Sequence, residues 1–97
     1  MPLFVLIGRD HPNSLARRLQ HRPAHLEAVR VLDASGRVRH GGPLKNDRGQ
    51  MIGSLLIFEA ESLEAAKKLV AADPYVVGGV FETYEVLETE AVFPRVH

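Results

Sequence analysis

An α+β sandwich, with one antiparallel sheet and two helices against one of its faces, is the fold this sequence predicts, and three observations predict it. Apolar runs of strand length alternate with segments of helical periodicity in the order strand, helix, strand, strand, helix, strand. The first and third strand segments, Leu3 to Ile7 and Ile52 to Phe58, are mostly apolar, as strands in the middle of a sheet are. Right-handed crossovers place those two segments side by side at the centre, which is the ferredoxin-like βαββαβ arrangement. A chain of 97 residues makes one small domain, here read as spanning 1–97, that can bury only about two thirds of its unfolded surface.

The elements follow in order. Leu3, Phe4, Val5, Leu6 and Ile7 run without a polar break to Gly8, which suits a strand covered on both faces. Arg9 to Ser14 is a polar connection in which Asn13 or Ser14 can cap a helix. Leu15, Leu19, Leu26, Val29 and Leu32 then recur at helical spacing as far as Gly36, and Arg17, Arg18, Glu27 and Arg30 are assigned to the opposite, polar side. Pro23 interrupts that pattern. It lacks an N–H and disfavours helical geometry at Arg22, so the helix is expected to kink there or restart with Pro23 in its first turn.

Arg37 to His40 alternates as an edge strand, with Gly41, Gly42 and Pro43 interrupting it. Lys45 to Gln50 has turn chemistry. Ile52 to Phe58 is the second central strand, broken only by Gly53 and Ser54. Ser62 as N-cap, Glu64 in the first turn, the stripe Leu63, Ala66, Leu69 and Val70, and Lys67 and Lys68 near the end define a second helix. Asp73 and Pro74 stop it, Gly78 and Gly79 bend the chain, and Val80 to Leu87 alternates as a last, edge strand. In the tail from Glu88 to His97, Pro94 limits any further strand to a short edge piece.

Two helices cover one face of such a sheet, yet the central strands carry apolar side chains toward both. A second copy packed sheet face to sheet face would cover the other, and so would the tail folded across it; the homodimer is the preferred expectation.

Composition narrows the function. Twelve basic residues balance twelve acidic ones, leaving no net positive field for nucleic acid or an anionic membrane surface. The absence of cysteine excludes thiolate catalysis, disulfides and Cys-ligated metals. No apolar run approaches a membrane span, and Leu3 to Ile7 is too short for a signal-peptide core; cytoplasmic residence is the expectation. No glycine-rich phosphate loop, zinc spacing or Ser-centred elbow is present, so cofactors have no support. His21 and His25 stand four apart, the spacing of a helical metal pair, but Pro23 lies between them and no further ligand is evident. His11, His40 and His97 read as surface residues.

His25 is the candidate acid or base, because imidazole titrates near neutrality with an ordinary pKa of about 6.5. Asp73 is the candidate partner that would set its tautomer. Each also has a plainer reading, His25 as a solvated helical residue and Asp73 as the start of a turn with Pro74. Arg22, with Arg9, Arg17 and Arg18 nearby, can hold a carboxylate or form a solvated basic face. Gly42, between Gly41 and Pro43, can admit a ligand to the backbone or mark a bulge. Ser54 can donate into a pocket or satisfy a neighbouring backbone group. Tyr75 can close a pocket or simply pack.

Taken together, Arg22 to Leu26, Gly42 with Pro43, Gly53 with Ser54, Glu61 to Ala66, Asp73 to Tyr75, and Gly79 to Glu82 resemble the YCII-related (YciI-like) family along nearly the whole chain. The resemblance implies a ferredoxin-like domain that pairs into a dimeric α/β barrel, and an active site built on a His and an Asp that match His25 and Asp73. The family is similar in fold to muconolactone isomerase, and a few relatives act as lyases or dehydrochlorinases on hydroxylated aromatic rings. The loop from Lys45 to Gln50 is short beside many relatives, so contacts they make there do not carry over.

The leading expectation is a small homodimeric enzyme in which His25, oriented by Asp73, moves a proton on a small anionic or aromatic molecule. Arg22, Ser54, Tyr75 and Gly42 would hold that molecule. The alternatives are a non-catalytic dimeric module that binds a metabolite or a protein, and a cofactor-free monooxygenase on the same barrel.

Overall fold

The computed structural model describes residues 1–94, so the expectation for His97 lies outside the described residues. The elements are β1 (Leu3–Asp10), α1 (Leu15–Ala34), β2 (Val38–Lys45), β3 (Met51–Glu59), α2 (Leu63–Ala71), α3 (Pro74–Val77) and β4 (Phe81–Thr89). The strands form one antiparallel sheet in the order β2-β3-β1-β4. The two apolar segments are therefore its centre, and the fold is ferredoxin-like.

Alternation along each strand sorts side chains onto two faces. Phe4 and Leu6 of β1, Leu56 and Phe58 of β3, and Val86 of β4 point to the helix side, where Ala66 and Val70 of α2 close over them. Phe81 completes this layer at the open end of β1. Gly8 is required there, since a Cβ would come within 2.5 Å of the Phe81 ring. On the other face, Leu3, Val5, Ile7, Leu55 and Ile57 are only half-buried, and Leu87, paired with Val5, is exposed. Tail residues 90–94 are themselves exposed, with Phe93 at 82%. That second face is left open by the described chain.

Four local expectations are corrected. Of the kink or restart expected at Pro23, the restart is not met: α1 is one helix of 20 residues with the proline inside it. Its buried face is also not the leucine stripe. Leu15, Leu19 and Leu26 are exposed, whereas Arg18 is buried and His21, His25, Val29 and Leu32 are half-buried. The inward face carries residues 18, 21, 25, 29 and 32, with His21 and His25 against the α3 turn and Arg18 at the strand ends. Ser14 stands at the N-cap but accepts no capping bond; its hydroxyl donates to the His11 carbonyl at 2.6 Å. Finally, β2 runs through Gly41, Gly42 and Pro43 to Lys45, with its register shifts between Val38 and His40 and between Leu44 and Lys45. As an edge strand it tolerates Pro43, whose missing N–H interrupts no central ladder.

The second helix follows its sequence signals. Ser62 accepts from the Ala65 N–H at 3.1 Å, with Glu64 in the first turn and Lys68 in the last. The one unforeseen element is α3, a single turn that begins at Pro74 directly after Asp73 and ends at Gly78.

Candidate active site

Between α1, α3 and the β2–β3 half of the sheet lies an open cleft of about 550 Å³. The structure brings His25, Arg22, Ser54, Tyr75 and Gly42 together on its wall. Asp73 stands behind His25. Residues from four elements, far apart in sequence, thus share one concavity.

Asp73 is placed by the start of α3. It caps that turn, its Oδ1 accepting from the Tyr75 N–H at 2.8 Å, while Pro74 at the first helical position needs no partner for an N–H. The same carboxylate faces His25, with Nδ1 2.8 Å from Oδ1 and 3.0 Å from Oδ2. Both side chains are largely buried, at 12% and 9% exposure. A carboxylate only accepts, so this contact puts the proton on Nδ1 and leaves Nε2 as the free nitrogen of neutral imidazole. The turn and ion-pair readings of Asp73 are therefore compatible: one carboxylate does both.

Tyr75 fixes the plane of the His25 ring. The rings are stacked, with centroids 3.9 Å apart and planes 11° from parallel. The Arg18 guanidinium lies 4.5 Å from the same Tyr75 centroid. With imidazole occupying one face of the phenol ring, the guanidinium must occupy the other. His25, Tyr75 and Arg18 form a three-layer stack, and a cation over an aromatic face is attractive when desolvated.

Arg18 is the residue the sequence reading undervalued. It is 2% exposed, donates from Nε to Asp10 Oδ2 at 2.9 Å and from one terminal nitrogen to Ser54 Oγ at 2.5 Å, and that nitrogen also bonds the Gly53 carbonyl. Asp10 was read as part of a connection, yet it is the last residue of β1, and its Oδ1 is buried without a partner among the described residues. Burial pushes the Asp10 carboxyl above its ordinary 3.8, with Arg18 opposing that rise. A signal for Arg18 existed: it precedes His25 by seven residues, two helical turns, so a helix that turns His25 toward the sheet turns Arg18 toward it as well.

The remaining cations are unequal. Arg30 is tied to Glu27, and Arg39 to Glu59 at 2.8 Å. Arg22 lines the cleft with no carboxylate partner among the described residues. A Cβ built on Gly42 would meet nothing within 4 Å, so the missing side chain widens the cleft and is not required by packing. His40 lines the cleft mouth, and His11 lies 3.5 Å from Glu82 at the surface. His21 packs on Gly78, where an added Cβ would come within 2.6 Å of its ring. Among the described residues, no three His, Asp or Glu side chains are grouped to hold a metal. No helix is long and apolar enough to cross a membrane.

The sequence pattern of the YCII-related domain matches residues 2–90. The chain belongs to the YCII-related family. It is 42% identical over 97 residues to the protein YciI of Escherichia coli O6:H1 (strain CFT073), covering 94% of this chain and 99% of that one. Among solved structures, it resembles 5-chloro-2-hydroxyhydroquinone dehydrochlorinase (TftG) of Burkholderia phenoliruptrix AC1100, solved in complex with 2,5-dihydroxybenzoquinone. The identity is 33%, the TM-score 0.81, and the match covers 91% of this chain and 93% of TftG. Muconolactone isomerase shares the fold at 18% identity and a TM-score of 0.67, with 100% and 96% of the two chains covered. The YCII-related family thus includes this chain, and its fold is that of proteins with enzymatic members.

Proposed function

We propose that this protein is a small homodimeric enzyme in which His25 moves a proton on a small anionic or hydroxylated aromatic molecule. The observation that carries this reading is the pair of contacts from His25 Nδ1 to both oxygens of Asp73, at 2.8 and 3.0 Å, beside an open cleft. A carboxylate in that position orients the ring and stabilises its cationic form once Nε2 has taken a proton. The chemistry needs no more than a base that can return the proton elsewhere, as in isomerisation, or assist loss of a leaving group, as in elimination. Arg22 supplies a cation for a carboxylate or phenolate, Tyr75 a wall, and Gly42 room.

The likeness to TftG favours hydroxylated rings as the first substrates to try, although a shared fold does not transfer a substrate. The open apolar face bearing Val5, Ile7, Leu55, Ile57 and Leu87 supports pairing sheet to sheet, because a patch of that kind is a liability in a monomer. Two measurements test the reading. Chloride release from chlorinated hydroxyquinols, and loss or shift of ring absorbance in dechlorinated ones, are followed with wild type, His25→Ala and Asp73→Asn. Removal of the base is expected to slow turnover by about 10²–10⁴-fold. Equal turnover in His25→Ala would end the proton-transfer reading, and a ligand bound equally by both but never converted would replace it with a binding module. Light scattering is expected to give a dimer for wild type and a monomer for Ile57→Glu.

A further inference from the structure

We propose that Ser54, held by Arg18, is an oxyanion donor, built to bind the negative oxygen of an enolate or phenolate in the cleft. The inference rests on the proton-transfer reading for its partner base but concerns a different atom, and it is tested separately. Ser54 lies on β3, is 5% exposed, and lines the cleft. Its Oγ is 2.5 Å from a terminal nitrogen of Arg18. Guanidinium has donors and no acceptor, so the direction of this bond is forced: Arg18 donates and Ser54 accepts. The hydroxyl proton of Ser54 must then go elsewhere. Among the described residues it has no acceptor, and Ser54 itself lines the cleft.

Arg18 is tethered in place, and it lines the cleft beside Ser54. Asp10 holds its Nε, the Gly53 carbonyl and Ser54 share one terminal nitrogen, and Tyr75 covers its face. It is a positioning residue for Ser54, and part of its effect on a ligand passes through that hydroxyl. An O–H whose oxygen accepts from a buried cation is polarised and donates more strongly. The preference is for an oxygen that carries negative charge, and because the donor is fixed before the ligand arrives, little reorganisation accompanies the gain.

The stack sets the reacting geometry. His25 stacks on Tyr75, Arg18 lies over the same ring and holds Ser54, and His25 and Ser54 both line the cleft. In the step this serves, Nε2 takes a proton from carbon next to a carbonyl. The C–H electron pair becomes the new C=C bond, the carbonyl π pair moves onto oxygen, and that oxygen accepts the Ser54 proton in a hydrogen bond. Return of the proton from Nε2 to a different carbon regenerates the carbonyl and the neutral imidazole. The ligand class is therefore an oxygen-bearing conjugated system: a keto acid, an enol lactone or a hydroxylated ring, with its carbonyl or phenolic oxygen toward β3.

The probe that tests this is 4-nitrophenol, whose neutral and anionic forms have separate visible absorption bands. Intact protein is titrated with it across pH. Bound to wild type, the phenol is expected to ionise about one pH unit below the free probe, as a favourable contact to the anion requires. Ser54→Ala should lose most of that shift while still binding the neutral phenol at low pH, and Ser62→Ala should keep it. Circular dichroism verifies folding. Should Ser54→Ala fail to fold, Ser54→Cys, of similar size but with a weak S–H donor, is expected to lose the shift in the same way. An unshifted bound probe, absence of binding at millimolar concentration, or a shift that survives in both Ser54 variants overturns the assignment. The two readings fail separately. A shift abolished by His25→Gln and untouched by Ser54→Ala removes the Ser54 role and leaves the base, whereas Ser54-dependent ionisation with turnover indifferent to His25→Ala keeps the oxyanion donor and removes the base.

Discussion

The two long helices of this protein obey different rules. In α2, a capping serine, an acidic first turn, a basic residue in the last turn and a buried pair of small apolar residues, Ala66 and Val70, all agree. In α1, Ser14 makes no capping bond, no acidic residue occupies the first turn and no basic one the last, a proline sits inside, and the fully buried side chain is Arg18. Sequences are consistent across levels where only the fold is at stake and break local rules where a site is carried. The helix that breaks them is the one that carries His25 and Arg22 and reaches Ser54 through Arg18.

Mutations in α1 should therefore separate stability from function in ways that mutations in α2 do not. The largest effect is expected from Arg18→Met. It leaves Asp10 buried with neither oxygen paired, and breaking one side of a buried pair costs about 3–5 kcal/mol. That is a large share of the roughly 5–15 kcal/mol available to a domain. Urea denaturation measures it, and a loss under about 1 kcal/mol would mean that Asp10 is solvated or neutral in the native state. His25→Ala, seven residues on, should by contrast reduce turnover at a smaller cost in stability, about 1–2 kcal/mol, because Asp73 keeps its hydrogen bond from the Tyr75 N–H when the ring is gone.

Pro23→Ala sharpens the comparison from the other direction. An interior proline costs about 3 kcal/mol of helix free energy, although its stiffening of the unfolded chain offsets part of that. The substitution is expected to raise stability by about 1–2 kcal/mol. If turnover falls as stability rises, Pro23 is tuning the path of α1 for the His25 ring. In α2 the corresponding change is Ser62→Ala, expected to cost about 1 kcal/mol through loss of the cap, with no change in turnover.

How far the sequence could be read follows the same division. The central strands, the end positions of β2 and β4 and the whole of α2 were visible because burial, period and capping point one way there. His25, Asp73, Arg22, Ser54, Tyr75 and Gly42 could each be named as candidates, and they meet around one cleft. What was not visible lay in α1. Leucine spacing assigned Leu15, Leu19 and Leu26 to the core, but hydrophobic periodicity cannot tell a face that meets this chain's own sheet from one left exposed. Arg18 was put on the wet side because a buried guanidinium is costly unless paired, and its pairing depends on Asp10, Gly53 and Ser54, contacts made only when two strands and a helix converge. Likewise, α3 was hidden because one turn of helix has too few residues to show a period.

The smallest expected effect is also the one that asks which force dominates beneath the site. Burial raises the Asp10 carboxyl above 3.8 and Arg18 opposes it, with burial the larger influence. A group whose folded pKa is raised favours the neutral form in the native state, so its contribution to stability is complete below the unfolded value and declines as pH rises through the folded one. Asn at this position cannot ionise and has no such decline. The stability of wild type relative to Asp10→Asn should therefore be greatest near pH 3 and smaller near pH 6, as read by urea denaturation at the two pH values. A difference that grows with pH would show instead that attraction to Arg18 outweighs desolvation, making Asp10 a permanent anion. In that case the guanidinium stacked beneath Tyr75 is largely neutralised before its influence reaches the cleft, and the polarisation of Ser54 would rest on the hydrogen bond alone.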